Sequence, residues 1–146
     1  MEENLINIET ALASILVAAF VAYFAYRTVV RKQYVEAAEK FRESVLGQLK
    51  DIYPIATDWP DSMDCYLSNK FSALQNSVTT FEFALPWYKR YFFNRAWRIY
   101  RVGENGRDQD KQCYHQYLGF TIDDHYIDPR KQLNKNVDRL LKYAKT

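Results

Sequence analysis

Side chains able to ligate a metal or move a proton gather in one place: Cys113, His115, Asp123, Asp124, His125 and Asp128. Zinc needs three or four such groups converging tetrahedrally. The order Cys-x-His, nine residues, then His matches no common zinc spacing, and an Asp beside a His serves equally as a surface cluster or a helix cap. Nucleophilic catalysis needs a Cys or Ser within reach of a base, and two histidines with no Gly-x-Ser-x-Gly elbow leave little to build from. Gly-Glu-Asn-Gly at 103–106 is too sparse to cradle a phosphate, and Glu82 and the aspartates form no obvious pair. No catalytic, cofactor-binding or metal residue is assigned. The expectation is a non-enzymatic protein without a cofactor or a small-molecule substrate.

A second pattern has binding chemistry. Residues 85–101 read Leu-Pro-Trp-Tyr-Lys-Arg-Tyr-Phe-Phe-Asn-Arg-Ala-Trp-Arg-Ile-Tyr-Arg, with five basic groups, seven aromatics and no acid. Charge for phosphates and π faces for bases are what single-stranded nucleic acid requires. Helical geometry separates the two, however. Arg90, Arg98 and Arg101 fall roughly opposite Tyr88, Phe92 and Ile99, so a core face backed by a solvated basic face is the simpler account. Arg90, Arg98 and Arg101 are taken as a surface contact for a protein partner, and nucleic acid as the weaker alternative.

What positions these residues begins with the uncharged stretch Thr10 to Tyr26, seventeen residues long. An acidic leader (Glu2, Glu3, Glu9) precedes it and a basic flank (Arg27, Arg31, Lys32) follows. Arg27 has a stem long enough to snorkel, which extends the span to Thr10–Val30. That length rises about 30 Å as a helix, matching a hydrocarbon core. Tyr23, Phe24 and Tyr26 cluster at the basic end, where amphipathic rings prefer the headgroup level. A cleavable signal peptide opens with a basic region, and the first 26 residues hold no Lys or Arg. Positive charge counts toward the cytoplasmic side. The expected topology is a short outside N-terminus (1–9), a transmembrane helix (10–30) and a cytoplasmic domain (31–146). Within the span Ala11, Ser14, Ala18, Ala22 and Ala25 recur at spacings of three and four, a small-residue face of the kind that lets membrane helices approach closely. These five are the candidate helix-association residues.

Beyond the span, composition permits one domain. Residues 27–146 hold all 20 basic groups and 15 of the 18 acidic ones, a net charge of +5 that suits a domain beside an anionic leaflet. Cys65 and Cys113 fall in the cytoplasmic part, where a reducing environment argues against a bridge between them. Tyr34, Ala38, Phe41, Val45, Leu49 and Ile52 mark an amphipathic helix over about 31–53 that continues the span. A loop with Pro54, Asp58 and Pro60 leads to a second helix over about 62–85, capped by Asp61 or Ser62. Its seam Leu67, Phe71, Leu74, Val78, Phe81, Leu85 has heptad spacing, coiled-coil-like yet too short for more than a bundle face. Pro86 opens a third helix over about 86–102, whose core stripe is expected at Tyr88, Phe92, Ala96 and Ile99, widened by Phe93 and Tyr100. Residues 113–127 are Tyr-rich without helical period and fit an irregular or strand-like segment. Asp128 and Pro129 start a last helix over about 129–145, with Leu133, Val137, Leu140, Leu141 and Ala144 inside and Lys131, Lys135, Arg139, Lys142 and Lys145 outside. The fold class expected is all-α: an N-terminal transmembrane helix continuing into a small helical bundle.

Two phrases carry a resemblance over roughly residues 34 to 101. One is Ala37-Ala38-x-x-Phe41-Arg42. The other is Phe81-x-x-x-Leu85-Pro86, Lys89-Arg90, then Phe93-x-x-Ala96-Trp97-x-x-Tyr100. Together they resemble small bacterial single-pass membrane proteins with a helical cytoplasmic domain and no assigned activity. The resemblance implies an inner-membrane placement and carries no site residues. The leading expectation is a membrane-anchored helical protein that binds a protein partner or itself beside membrane lipid. The alternatives are a membrane-acting effector (a toxin or defence component) that oligomerises through its span, and a tethered nucleic-acid binder.

Overall fold

Apolar side chains recur every three or four positions through most of this chain, and its computed structural model is accordingly all-α. The structure describes residues 2–106, 114–122 and 125–145, with backbone alone for 2–10, 120–122 and 125. Helix α1 covers Glu2–Leu49, α2 Met63–Ala84, α3 Trp87–Val102 and α4 Pro129–Leu141. Between α3 and α4 lie a 3-10 turn, His115–Tyr117, and two short antiparallel strands, β1 (Phe120–Ile122) and β2 (His125–Ile127). The register pairs Phe120 with Ile127, Thr121 with Tyr126 and Ile122 with His125. A second 3-10 turn, Lys142–Ala144, extends α4. The chain divides into two compact units, Met1–Tyr34 and Val35–Thr146.

In the first unit α1 is apolar on every side. Residues 11–30 are all exposed, including Leu16 at 70% and Phe20 at 64%. Thr28 adds no open polar group, because its hydroxyl donates to the Phe24 carbonyl one turn back at 2.9 Å. Arg27 turns back over Tyr23, with its guanidinium 5.8 Å from the ring centre and 3.4 Å from the hydroxyl. That direction is toward the helix N-terminus. It follows the tilt of every helical Cα–Cβ bond toward the N-terminus.

The second unit is built on aromatic packing. Ala38, Phe41, Val45, Leu49 and Ile52 are buried as their spacing predicts, and so are Leu67, Leu74, Val78, Phe81 and Leu85 of the second seam. Phe41 stacks on Phe81 at 4.6 Å and meets Phe93 edge-on at 5.6 Å. Phe93 in turn meets Phe81 and Tyr143 edge-on, which draws α1, α2, α3 and the end of α4 into one core. Ring pairs of this kind contribute about 0.5–1.5 kcal/mol beyond their buried area. Along α1 and α2 the partners run in opposite order. Phe41 faces Phe81, Ser44 meets Ser77 at 2.6 Å, and Tyr66 reaches the Gln48 carbonyl and Asp51. The two helices are therefore antiparallel within this unit.

The helix ends follow their capping residues. Leu49 closes α1 earlier than expected, because Ile52 and Tyr53 both donate to its carbonyl and tighten the last turn. Ser62 caps α2 by accepting from Cys65, and Asp128 caps α4 by accepting from Arg130 at 2.9 Å. Pro86 stands just before α3 and fixes the chain reversal there. Tyr53 donates to Asp138 at 2.6 Å and Asn134 donates to the Pro54 carbonyl, so the loop after α1 is fastened to α4. Gly119 has φ of 75°, and a Cβ there would sit 3.1 Å from the Tyr126 hydroxyl, so the turn into β1 needs glycine.

One expectation about α3 is corrected. Tyr88 and Phe92 are each 56% exposed, and the buried stripe is Phe93, Ala96, Trp97 and Tyr100 with Ile99 beside it. Two apolar stripes compete on this helix. Phe93, Trp97 and Tyr100 prevail because they meet Phe41, Phe71 and the Tyr-rich turn, while Tyr88 and Phe92 of the other stripe face outward.

Candidate functional site

The five small residues Ala11, Ser14, Ala18, Ala22 and Ala25 lie on α1 in the first unit and are exposed. Spacings of three and four place them along one side of the helix. That side is as bare as the side carrying Leu12, Leu16 and Phe20.

The three arginines singled out for a surface contact have separate tasks. Arg90 folds back across the α2–α3 junction, donating Nε to the Leu85 carbonyl at 3.0 Å and Nη2 to the Phe83 carbonyl at 3.1 Å. It satisfies acceptors left open at the end of α2 and carries its charge where the helix dipole is negative. Arg98 and Arg101 are half-buried and line a groove of about 390 Å³ with Arg95, Trp97, Tyr91, Asn94 and Gln75. The Arg101 guanidinium stacks 5.5 Å above the Trp97 ring, and Trp97 Nε1 donates to Gln75 at 2.9 Å. Arg98 Nε is buried without a hydrogen-bond partner among the described residues. An open groove walled by three guanidiniums and an indole suits acidic side chains or carboxylates presented by a partner. Arg95, which the sequence reading left out, belongs to this wall and also to a smaller groove beside Phe92, Arg139 and Tyr143. Its signal was its position, three residues before Arg98 and six before Arg101.

Of the ligand-capable residues, the side chains of His115 and Asp128 are described. His115 is exposed on the first 3-10 turn, and the Asp128 carboxylate is engaged as the α4 cap. His125 is described by its backbone in β2, and Cys113, Asp123 and Asp124 lie outside the described residues. Among the described residues no group of three His, Cys, Asp or Glu side chains converges on a metal position. Cys65 is exposed and free.

Sequence reasoning missed a polar network at the centre of the second unit. Tyr114 and Tyr117 are fully buried and meet Tyr100 at ring separations of 6.0 and 6.1 Å. Tyr117 donates to the Tyr100 carbonyl at 2.8 Å and accepts from buried Asn136 at 3.1 Å. Gln116 donates to the carbonyls of Ile99 and Tyr100 and accepts from the same Asn136 amide. The last turn of α3 is thereby closed by side chains from the segment that follows it. Burial pushes the Tyr100, Tyr114 and Tyr117 phenols well up, with the Asn136 hydrogen bond opposing this slightly at Tyr117. Burial, then the bond to Asp138, raises Tyr53 to about 12, and burial with the bond to Asp51 raises Tyr66. These five phenols stay protonated through the neutral range; Tyr53, Tyr66 and Tyr117 act as donors, and Tyr100 and Tyr114 serve as packing surface.

Comparison with known protein families, curated proteins and solved structures finds no match to this chain. The functional reading therefore rests on the chain's own chemistry. Among the described residues, one helix near the N-terminus is long and apolar enough to cross a membrane.

Proposed function

We propose that this protein is a single-pass anchor of the bacterial cytoplasmic membrane that holds a non-enzymatic helical domain at the cytoplasmic face. There it engages a protein partner or a second copy of itself. The observation that carries the reading is the bare, all-round apolar surface of α1 from residue 11 to 30, interrupted by one cation, Arg27. Nothing among the described residues covers it, and water is the costly solvent for it. At about 25 cal/mol per Å² of apolar area, twenty such residues far outweigh the stability of a small domain. The absence of Lys and Arg before Arg27, against five cations at Arg27, Arg31, Lys32, Lys40 and Arg42, supports an outside N-terminus. The resemblance to small bacterial membrane proteins supports the inner membrane.

Two surfaces serve association in this reading. The small-residue face Ala11, Ser14, Ala18, Ala22 and Ala25 allows close approach of a second span. The groove at Arg95, Arg98 and Arg101 receives an acidic segment of a partner. The topology is tested by reporters fused after Thr146. A fluorescent protein should be bright and alkaline phosphatase silent, and the reverse pattern refutes the orientation. Ala18→Leu with Ala22→Leu should abolish crosslinked dimers in membranes, whereas unchanged crosslinking removes the span from the association.

A further inference from the structure

We propose that the corner where α2 gives way to α3 is a second membrane contact, seated in the headgroup layer of the bilayer that takes the span. It rests on the anchor reading above. Five aromatic side chains crowd this corner without a core to enter. Phe83 is 74% exposed, Trp87 82%, Tyr88 56%, Tyr91 70% and Phe92 56%. Rings of this size are normally buried, and a contiguous exposed set marks an interaction surface. Trp87 meets Tyr88 edge-on, and Tyr91 meets Phe92 edge-on, so the four rings of α3 form one outward face.

The chemistry of that face is interfacial. Trp and Tyr carry an apolar body and a polar tip, and Lys89 and Arg95 stand exposed among them. No Asp or Glu occurs from Phe83 to Gly103. The nearest acids are already engaged, Glu82 by Asn94 and Glu104 by Arg139, so a second copy laid on this face would bring the like charges of Lys89 and Arg95 together. An anionic leaflet complements the cations and admits the rings.

The place of the corner in the fold supplies the partner. Because α2 runs antiparallel to α1 and Phe81 lies level with Phe41, Leu85 lies one turn further toward the end of the second unit that begins at Val35. Val35 follows Val30, the last residue of the apolar run, by five positions. Five residues reach no more than about 18 Å even when fully extended. A bilayer holding the span is thus tethered within that reach of the first residue of the second unit.

The test uses the full chain in vesicles containing anionic lipid, with and without lipid brominated near the headgroup end of its acyl chains. The tryptophan emission of Trp87→Phe is subtracted from that of the parent, which isolates Trp87 and keeps a ring at the position. The isolated emission should fall at least twofold in brominated vesicles. If the protein floats with the vesicles and the Trp87 emission is unchanged by bromine, the proposal is overturned while the anchor stands. Shielding of Trp87 from aqueous acrylamide in that case would assign the corner to a second copy. If the chain does not float with the vesicles at all, the anchor reading fails and the corner contact falls with it.

Discussion

The two ends of α1 are chemically unlike although one helix runs through both. From residue 11 to 30 every side is apolar and every position is exposed. From Ala38 to Leu49 the apolar residues form one stripe, that stripe is buried, and Glu39, Lys40, Arg42 and Glu43 occupy the exposed side. The width of the apolar surface reports which solvent each part was built for. A stripe is matched to a protein core with water behind it, and a full cylinder is matched to lipid. The α2–α3 corner belongs to the second unit by connectivity and resembles the first in its bare rings.

Alkali should separate the two parts most strongly. The raised phenols Tyr53, Tyr66, Tyr100, Tyr114 and Tyr117 all lie in the second unit. In the unfolded chain a tyrosine ionises near 10, while these five hold their protons to higher pH, about 12 for Tyr53. Between those values the unfolded state binds fewer protons than the folded one, so stability falls as pH rises. Their contribution is complete below pH 10 and is lost above it. Circular dichroism in detergent micelles should show the second unit melting between about pH 10 and 12 while the helical signal of the span persists. A single loss of all helix at neutral pH, or none by pH 12, would erase the distinction.

Next in size is the effect of removing a ring. Phe41→Ala opens a cavity against Phe81 and Phe93 and should cost about 3–5 kcal/mol in the denaturant unfolding of the second unit. Phe20→Ala, in the same helix, should leave that transition where it is. Equal shifts from both would mean that the first part of α1 is packed on protein. The smallest effect is local: Tyr117→Phe removes the donor to the Tyr100 carbonyl and the acceptor for Asn136, and should cost about 1–3 kcal/mol without altering membrane association.

Where the apolar period was unambiguous, the sequence was enough. The buried stripes of α1 and α2 and all five inward residues of α4 follow from spacing, and Ser62 and Asp128 cap the helices that their positions announce. On α3 spacing could not choose, because Tyr88–Phe92–Ala96–Ile99 and Phe93–Trp97–Tyr100 are equally good stripes. Only tertiary neighbours decide between them. The segment from Tyr114 to Ile127 had no period to read. Tyr117 is core because Asn136 and the Tyr100 carbonyl satisfy its polar end, a fact held in contacts some twenty residues apart in sequence. Arg90 looked like a surface cation and is a helix terminator, since its fork matches carbonyls freed by the chain reversal at Pro86.

The most direct measurement is alkaline carbonate extraction of membranes carrying the full-length chain, at a pH where the second unit has lost its fold. The account predicts that the chain stays in the membrane pellet, held by residues 11–30 alone. Release of the intact chain into the supernatant would contradict it.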